Sequence, residues 1–353
     1  MVPIFIASNS SYTGKTFLSL GLALNLSKQG YSVGYLKPFG RRPVKRGANL
    51  YDEDAVFIKE TLSLPEPLDA VSPFVYSYET ENHLFDGNVV DTRKRIMDAL
   101  GMQKQRDFVI IGGAGDLLEG STLNLDALSL IGEMKAYVLM VESWRGEASI
   151  DALVGGSRLF GERFLGGVIN RVKSNVMHHV RDKIKPFVEK KGIAIFGVFQ
   201  KDSLLESISV RQLNETLKGN VVCCAERLEE FVENFSIGAM DVDSALTHFR
   251  RIANKAVITG AHRADIQLAA METSTKCIIL TGGFHVNDVI IGKAQVKGIP
   301  LIAVQDDTFT TIEKIESVLG RIGIREEKKV ARVGEILEDF DYARLLKALP
   351  ARP

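Results

Sequence analysis

Residues 3–28 constrain this chain more than any other stretch. An apolar run, PIFIAS, meets SNSSYTGKT and passes directly into FLSLGLALNLSK, whose apolar spacing is helical. Strand, short loop and helix in that order, with Gly14-Lys15-Thr16 at the junction, match the end of the phosphate-binding pattern GxxxxGK[ST]. In that pattern the loop amides, here of Asn9, Ser10, Ser11, Tyr12, Thr13 and Gly14, cradle phosphate. Lys15 then reaches the terminal phosphates, and the Thr16 hydroxyl ligates magnesium. Asn9 stands where the leading glycine belongs. Asparagine is among the residues that adopt a positive φ most readily, so Asn9 is expected to replace glycine in that conformation and the loop to survive. The plainer alternative is that Gly14 and Lys15 form an ordinary helix N-terminus.

The rhythm continues beyond the loop. At 353 residues the chain has room for two domains, each with its own core. Short apolar runs at Pro3–Ser8, Ser32–Lys37, Phe108–Ile111, Ala136–Val141, Gly166–Ile169 and Ala194–Phe199 alternate with helical patterns at Lys15–Lys28, Asp52–Thr61, Ser149–Leu159 and Val176–Lys190. That alternation implies an α/β fold, a parallel sheet with helices on both faces, over residues 1–217. Arg41–Leu50, basic and without an acid, reads as a mobile loop near the nucleotide.

After LKGN the rhythm restarts. Strands at Ala256–Thr259, Cys277–Thr281 and Leu301–Val304 and helices at Ala264–Glu272, Asn287–Val296 and Thr311–Leu319 predict a smaller α/β domain over 218–325. Residues 326–353 are charged and helical in pattern and read as a tail packed on the outside.

Charge narrows the partners. Lys plus Arg and Asp plus Glu number 44 each, and no basic block is interleaved with aromatics, so no nucleic-acid partner is expected. No apolar run approaches the roughly 18 to 20 residues needed to cross a bilayer, so no membrane association is expected. MVPIFIAS lacks a basic leader and a cleavage site, which points to a cytoplasmic location. Cys223, Cys224 and Cys277 lack metal-ligand spacing and read as buried thiols. His178 and His179, adjacent on a predicted helix, cannot both face one site; they read as one surface and one half-buried side chain. Trp144 follows a strand end and either lines a nucleotide pocket or packs in the core.

Five segments in order, SNSSYTGKT, GYSVGYLKPFG, DEDA, DFVIIGGAGD and GGVINRV, resemble dethiobiotin synthetase and the similar N-terminal domain of long bacterial phosphotransacetylases. The resemblance implies ATP and magnesium as cofactors. It implies that Lys37 holds a substrate carbamate and the γ-phosphate, that Asp54 binds magnesium and that Asn170 reads the adenine edge. Taken singly, Lys37 is equally a solvated strand-end lysine and Asn170 a turn residue. Dethiobiotin synthetases carry a further magnesium ligand, a glutamate, where this chain has Gly112; Asp116, or Asp107, is the expected substitute.

The stretch from Val257 to Glu316 resembles the DRTGG domain that accompanies the first in long phosphotransacetylases. Arg263, Asp265, Thr281, Gly282, Gly283, Asp307 and Thr308 carry the likeness, although His262 replaces an aspartate. Thr281-Gly282-Gly283 would let a backbone or a phosphate approach, and Arg263 suits either an anion or a surface ion pair. The resemblance implies a homodimer through this domain. The acyltransferase domain of phosphotransacetylases is not in the sequence, so acetyl transfer is not expected. The favoured expectation is an ATP-binding regulatory dimer with little turnover, with a nucleotide and a further protein as partners. The alternatives are an ATP-dependent ligase that phosphorylates a carboxylate or carbamate, and an interaction scaffold.

Overall fold

The structure, a computed structural model, describes residues 1–85, 91–283, 285–319 and 324–350. Residues 320–323 and 351–353, at the ends of the expected second domain and tail, lie outside the described residues. Contacts divide the chain into two units, Met1–Lys201 with Ile324–Pro353, and Asp202–Gly323.

The first unit carries β1 (Val2–Ala7), β2 (Val33–Leu36), β3 (Pro43–Arg46), β4 (Asn49–Asp52), β5 (Phe108–Gly112), β6 (Tyr137–Ser143), β7 (Phe164–Val172) and β8 (Ile195–Gln200). Six of them form one sheet in the order β2-β5-β1-β6-β7-β8, every pairing parallel. Ile4, Phe5 and Ile6 of β1, Val109 to Ile111 of β5 and Leu139 to Val141 of β6 are all buried. A parallel sheet covered on both faces has no polar side, which is why these strands are continuous apolar runs. The six strands expected from the sequence are these six. Because they run parallel, the loop after β1 opens at the edge where β5 and β6 also end, the usual ligand edge of such a sheet.

Helix Lys15–Lys28 is buried nearly all round, because the returning segment covers its outer side. Asn25 Nδ2 donates to Gly334 O at 3.2 Å. Helices Glu327–Ile336 and Tyr342–Ala348 make up the tail, and Phe340 stacks on Phe196 of β8 with centroids 5.5 Å apart.

Three expectations are corrected here. Arg41–Leu50 belongs to a β-hairpin rather than a mobile loop: β3 and β4 pair antiparallel, Val44 opposite Tyr51, around a two-residue turn that opens on Gly47 at φ 62°. The helix expected over Val176–Lys190 is interrupted by a π turn at Val180–Ile184. Pro186 sits just beyond it and has no N–H to continue an α ladder, so the wider turn absorbs the break. His178 and His179 are both exposed there, so neither is the half-buried side chain expected.

The second unit holds β9 (Ile208–Ser209), β10 (Asn220–Cys223), β11 (Phe231–Val232), β12 (Asn234–Ile237), β13 (Lys255–Gly260), β14 (Thr275–Thr281) and β15 (Leu301–Ala303). Its main sheet runs β10-β15-β14-β13-β12, parallel except for β10. Alternate residues feed two cores. Val257, Ile278 and Leu280 join Phe249, Ile266 and Ile290, while Ala256, Ile258, Cys277 and Ile279 face Val210, Leu213 and Leu217. Helix Val210–Leu217 thus packs on this sheet, which is why the contact division falls after Lys201 and not at 217. All three cysteines are free and buried. Among the described residues no helix is long and apolar enough to cross a membrane.

Candidate functional site

The loop Ser8–Gly14 lies between the end of β5 on one side and the end of β6 on the other. Gly14 ends it at φ 110°, and a Cβ there would lie 2.3 Å from Asn170 Nδ2, so only glycine fits. Asn9 is not among the residues at positive φ; within the loop Tyr12, at φ 59°, and Gly14 hold that conformation. Asn9 therefore does not stand in for a left-handed glycine, contrary to the expectation from sequence. Asn9 is held by its amide, which donates to Glu142 Oε1 at 2.6 Å.

Lys15 folds back across the loop. Its Nζ donates to Ser8 Oγ at 2.6 Å, to Gly115 O at 2.6 Å and to Ser10 O at 3.3 Å. Burial, and then the charge of Lys37, lower its pKa to about 7, against the opposing pull of Glu142, Glu119 and Asp116. Lys37 is buried at the end of β2 and donates to Gly113 O at 2.7 Å, so it is not a solvated strand-end lysine. Thr13 is buried, Tyr12 exposed, and Ser10 Oγ accepts from Arg145 Nη2 at 3.1 Å. A Cβ on Gly115 would sit 2.6 Å from Ser11 Oγ, which brings the loop after β5 against the phosphate loop.

Thr16 and Asp54 meet as expected: Thr16 Oγ1 donates to Asp54 Oδ2 at 3.1 Å. Asp54 arrives there because Asp52 caps helix Glu53–Thr61, its Oδ1 accepting the amides of Asp54 and Ala55 at 3.0 and 3.2 Å. The other oxygen of Asp52 accepts the amides of Arg41 and Arg42 at 3.0 and 3.3 Å, which ties the hairpin to the helix. Burial raises its pKa, an effect opposed by Lys37.

The expected substitutes for the missing glutamate do not join that pair. Asp116 is exposed and its Oδ1 caps the turn that follows, accepting from the Leu118 and Glu119 amides at 2.9 and 3.0 Å. Asp107 precedes β5 and so lies at the opposite edge of the sheet, where it accepts the Ser32 amide at 2.8 Å. At Gly112 a Cβ would lie 2.3 Å from Tyr35 Oη, so the phenol occupies the room a side chain would need. Burial, then the charges of Asp54 and Asp52, keep that phenol well above its ordinary pKa. Among the described residues no three acidic, histidine or cysteine side chains cluster as a metal site. A hydroxyl and one carboxylate at the mouth of a phosphate loop still suit magnesium, a hard cation that takes much of its shell from phosphate and water.

Asn170, at the end of β7, donates Nδ2 to Thr13 O at 2.9 Å and braces the loop. Trp144 packs against the main core and lines a groove with Ile150, Val154 and Phe187. Sequence reading missed Glu142, Arg145, Glu119 and Asp52. Glu142 was findable: it is an acid at the end of the apolar run AYVLMVES, at a strand end where ligands bind. Burial raises its pKa.

In the second unit Arg263 pairs with Asp265, Nη2 to Oδ2 at 3.0 Å, and also donates to Met240 O at 2.8 Å. Of the two roles weighed for it, the structure shows the ion pair. Thr281 and Thr308 share a hydroxyl hydrogen bond of 2.8 Å. Gly282 and Gly283, at φ 83° and 139°, bring their amides to Asp306 O and Val304 O at 2.9 and 3.1 Å. Asp307 caps the helix Thr308–Leu319 through the Phe309 amide at 2.8 Å.

With this geometry in view, comparison with known proteins places the chain. A family model described as an AAA domain matches residues 3–224. The chain belongs to the AAA domain family. A DRTGG domain follows it, matched over residues 212–318. The phosphate acetyltransferase of Synechocystis sp. is 21% identical over 98% of this chain and 51% of that protein, and that of Nitratidesulfovibrio vulgaris 22% over 93% and 48%. The chain therefore spans about half the length of these curated relatives. The ATP-dependent dethiobiotin synthetase of Methanocaldococcus jannaschii is 34% identical over 32% of this chain and 52% of that protein. The expected combination of a dethiobiotin-synthetase-like P-loop domain with a DRTGG domain is thus present in this AAA-domain chain. Among solved structures, the Mg-ADP complex of septum site-determining protein MinD from Pyrococcus horikoshii covers 58% of this chain and 83% of that one at 17% identity, with a TM-score of 0.38.

Proposed function

We propose that this AAA-domain protein binds ATP with magnesium at the Ser8–Thr16 loop and uses the nucleotide as a signal, with little turnover. Lys15 would neutralise the terminal phosphates, Thr16 and Asp54 would ligate magnesium, and the free Oδ1 of Asn170 would meet the adenine edge. The observation that carries the reading is Tyr35 Oη in the space beside Gly112, where dethiobiotin synthetases place a second magnesium carboxylate. Bound magnesium supplies charge neutralisation at the phosphates. With one carboxylate in place of two, that favours holding the nucleotide over transferring its phosphoryl group. The test is ADP formed per protein from bound Mg-ATP. Intact ATP after hours is expected; turnover at about one per second or faster overturns the reading.

A regulatory dimer through the DRTGG domain is part of this proposal. Val289 and Val296 lie seven residues apart on helix Asp288–Lys297 and are 73% and 87% exposed, two apolar side chains on one helix face that support pairing with a second copy. Sedimentation should give a dimer that V289E/V296E splits; a monomeric wild type removes this part.

A ligase is the second reading, favoured by one observation: Lys15 and Lys37 both reach the loop after β5, Lys15 Nζ donating to Gly115 O at 2.6 Å and Lys37 Nζ to Gly113 O at 2.7 Å, so two lysine amines flank the phosphate position. In that case Lys37→Ala abolishes phosphoryl transfer to a carboxylate or carbamate while ATP affinity holds. No ADP from any such substrate excludes it.

A further inference from the structure

A line of charges leads from the point where the chain rejoins the first unit to the carboxylate that faces Thr16. Arg325 is the second residue of the returning segment Ile324–Pro353. Its Nη1 pairs with Glu53 Oε1. Glu53 Oε2 takes Arg42 Nε at 3.0 Å, and Arg42 Nη1 lies 3.6 Å from Asp54 Oδ1. Asp54 Oδ2 closes the line by accepting the Thr16 hydroxyl at 3.1 Å. The backbone runs beside it, because the Glu53 amide donates to Arg42 O at 2.8 Å.

These are not isolated surface pairs. The side chains of Glu53 and Asp54 are 26% and 17% exposed, and each arginine or carboxylate inside the line has at least two partners, an arrangement that fixes direction where a lone exposed pair would not. The guanidinium of Arg42 is shared between Glu53 and Asp54. Arg325 pins Glu53, and so decides how far Arg42 can turn toward Asp54 Oδ1. A metal-binding carboxylate needs that kind of outer support to keep an oxygen aimed at the ion.

We propose that Arg325 is a positioning residue for the magnesium end of the nucleotide site, acting through Glu53 and Arg42 on Asp54. The proposal rests on the nucleotide reading above and adds a residue from the far end of the sequence to it. Without Arg325, Glu53 is free to turn, Arg42 turns with it, and Asp54 loses the fixed outer support that keeps its oxygen aimed at magnesium. Nucleotide contacts made by the loop itself are untouched.

The experiment titrates a fluorescent ATP analogue onto the full chain, in magnesium and in EDTA, and reads the ratio of the two dissociation constants. Wild type should bind more tightly with magnesium. Arg42→Ala should cut that gain by about tenfold and Arg325→Ala, one ion pair further out, by about threefold to tenfold, with the EDTA affinity unchanged. Arg325→Lys should restore most of it. Equal weakening in both conditions, or no change in either, overturns the proposal. Hydrogen exchange on the nucleotide-free chain separates this from failure of the nucleotide reading. A wild type that binds no nucleotide ends that reading, and the relay then stands only if Arg325→Ala speeds exchange of the Glu53 amide while β1 and β5 stay protected; unchanged exchange overturns it too.

Discussion

Tyr35 and Gly112 occupy one volume: a Cβ on Gly112 would lie 2.3 Å from the Tyr35 hydroxyl oxygen and 3.1 Å from Cζ. Tyr35 stands opposite Ile110 in the register of the adjacent strands β2 and β5, so Gly112 is its diagonal neighbour two residues on, and Tyr35 is 1% exposed, which leaves the phenol little room to yield. Gly112→Ala should therefore cost about 1–3 kcal/mol by overpacking. Removing the hydroxyl with Tyr35→Phe takes away the nearest atom, so the same change in that background should cost less by at least about 0.5 kcal/mol. A double-mutant cycle of urea melts measures it; strict additivity would show that the phenol is not what excludes a side chain at 112.

Glu142 holds the start of the loop. Its Oε1 accepts the Asn9 amide at 2.6 Å, while Oε2 stands 3.7 Å from Arg145 Nη2. Glu142→Ala should leave the Asn9 amide without its acceptor, cost about 1–3 kcal/mol and weaken nucleotide binding, while Glu142→Gln keeps an acceptor and loses less. The pH response has a sign. Burial raises this carboxyl above 4.5, so the folded chain holds its proton longer than the unfolded chain does. Its contribution is therefore full at low pH and fades as pH rises through the folded pKa. Glu142→Gln should flatten that part of the stability curve; an unchanged curve would place the titration elsewhere.

Nucleotide binding at Lys15 is expected to take up a proton. In the free chain its pKa is lowered to about 7 from 10.5. Between those values the unfolded chain keeps a proton that the folded one has released, so the ligand-free protein gains stability as pH rises through that window. Phosphate beside the amine restores the charged form. Calorimetry at pH 8 in two buffers of different ionisation heat should show proton uptake on ATP binding, and affinity should fall as pH rises. Buffer-independent heats would mean that Lys15 is already charged.

Sequence carried the sheet because each strand is an apolar run long enough to be buried on both faces, as IFIA and FVII are. It carried Thr16 because the GK[ST] pattern at a strand-to-helix junction is local, whereas Asp54 came only through the resemblance to dethiobiotin synthetase. It did not carry Glu142, whose partner is the Asn9 amide far away in sequence, nor the reason for Gly112, which lies in a neighbouring strand. The hairpin at β3 and β4 was hidden for a different reason. Its residues are mostly exposed, so no apolar alternation marks it, and what fixes it is the carboxylate of Asp52.

That carboxylate yields the last prediction. Asp52 is 1% exposed and accepts four backbone amides, those of Asp54 and Ala55 on Oδ1 and those of Arg41 and Arg42 on Oδ2. One side chain thereby caps the helix that carries Asp54 and anchors Arg41 and Arg42, the residues that lead into β3. Asp52→Ala strands all four amides and should cost about 2–4 kcal/mol in urea melts. Asp52→Asn offers one carbonyl oxygen, so it can serve the helix or the hairpin but not both. If it keeps the helix cap, the Asp54 and Ala55 amides stay protected from exchange while those of Arg41 and Arg42 open, and magnesium-dependent binding weakens with them. Protection of all four amides in Asp52→Asn would mean that the hairpin stands without its anchor, and the link between the two elements would have to be sought in the ion pairs alone.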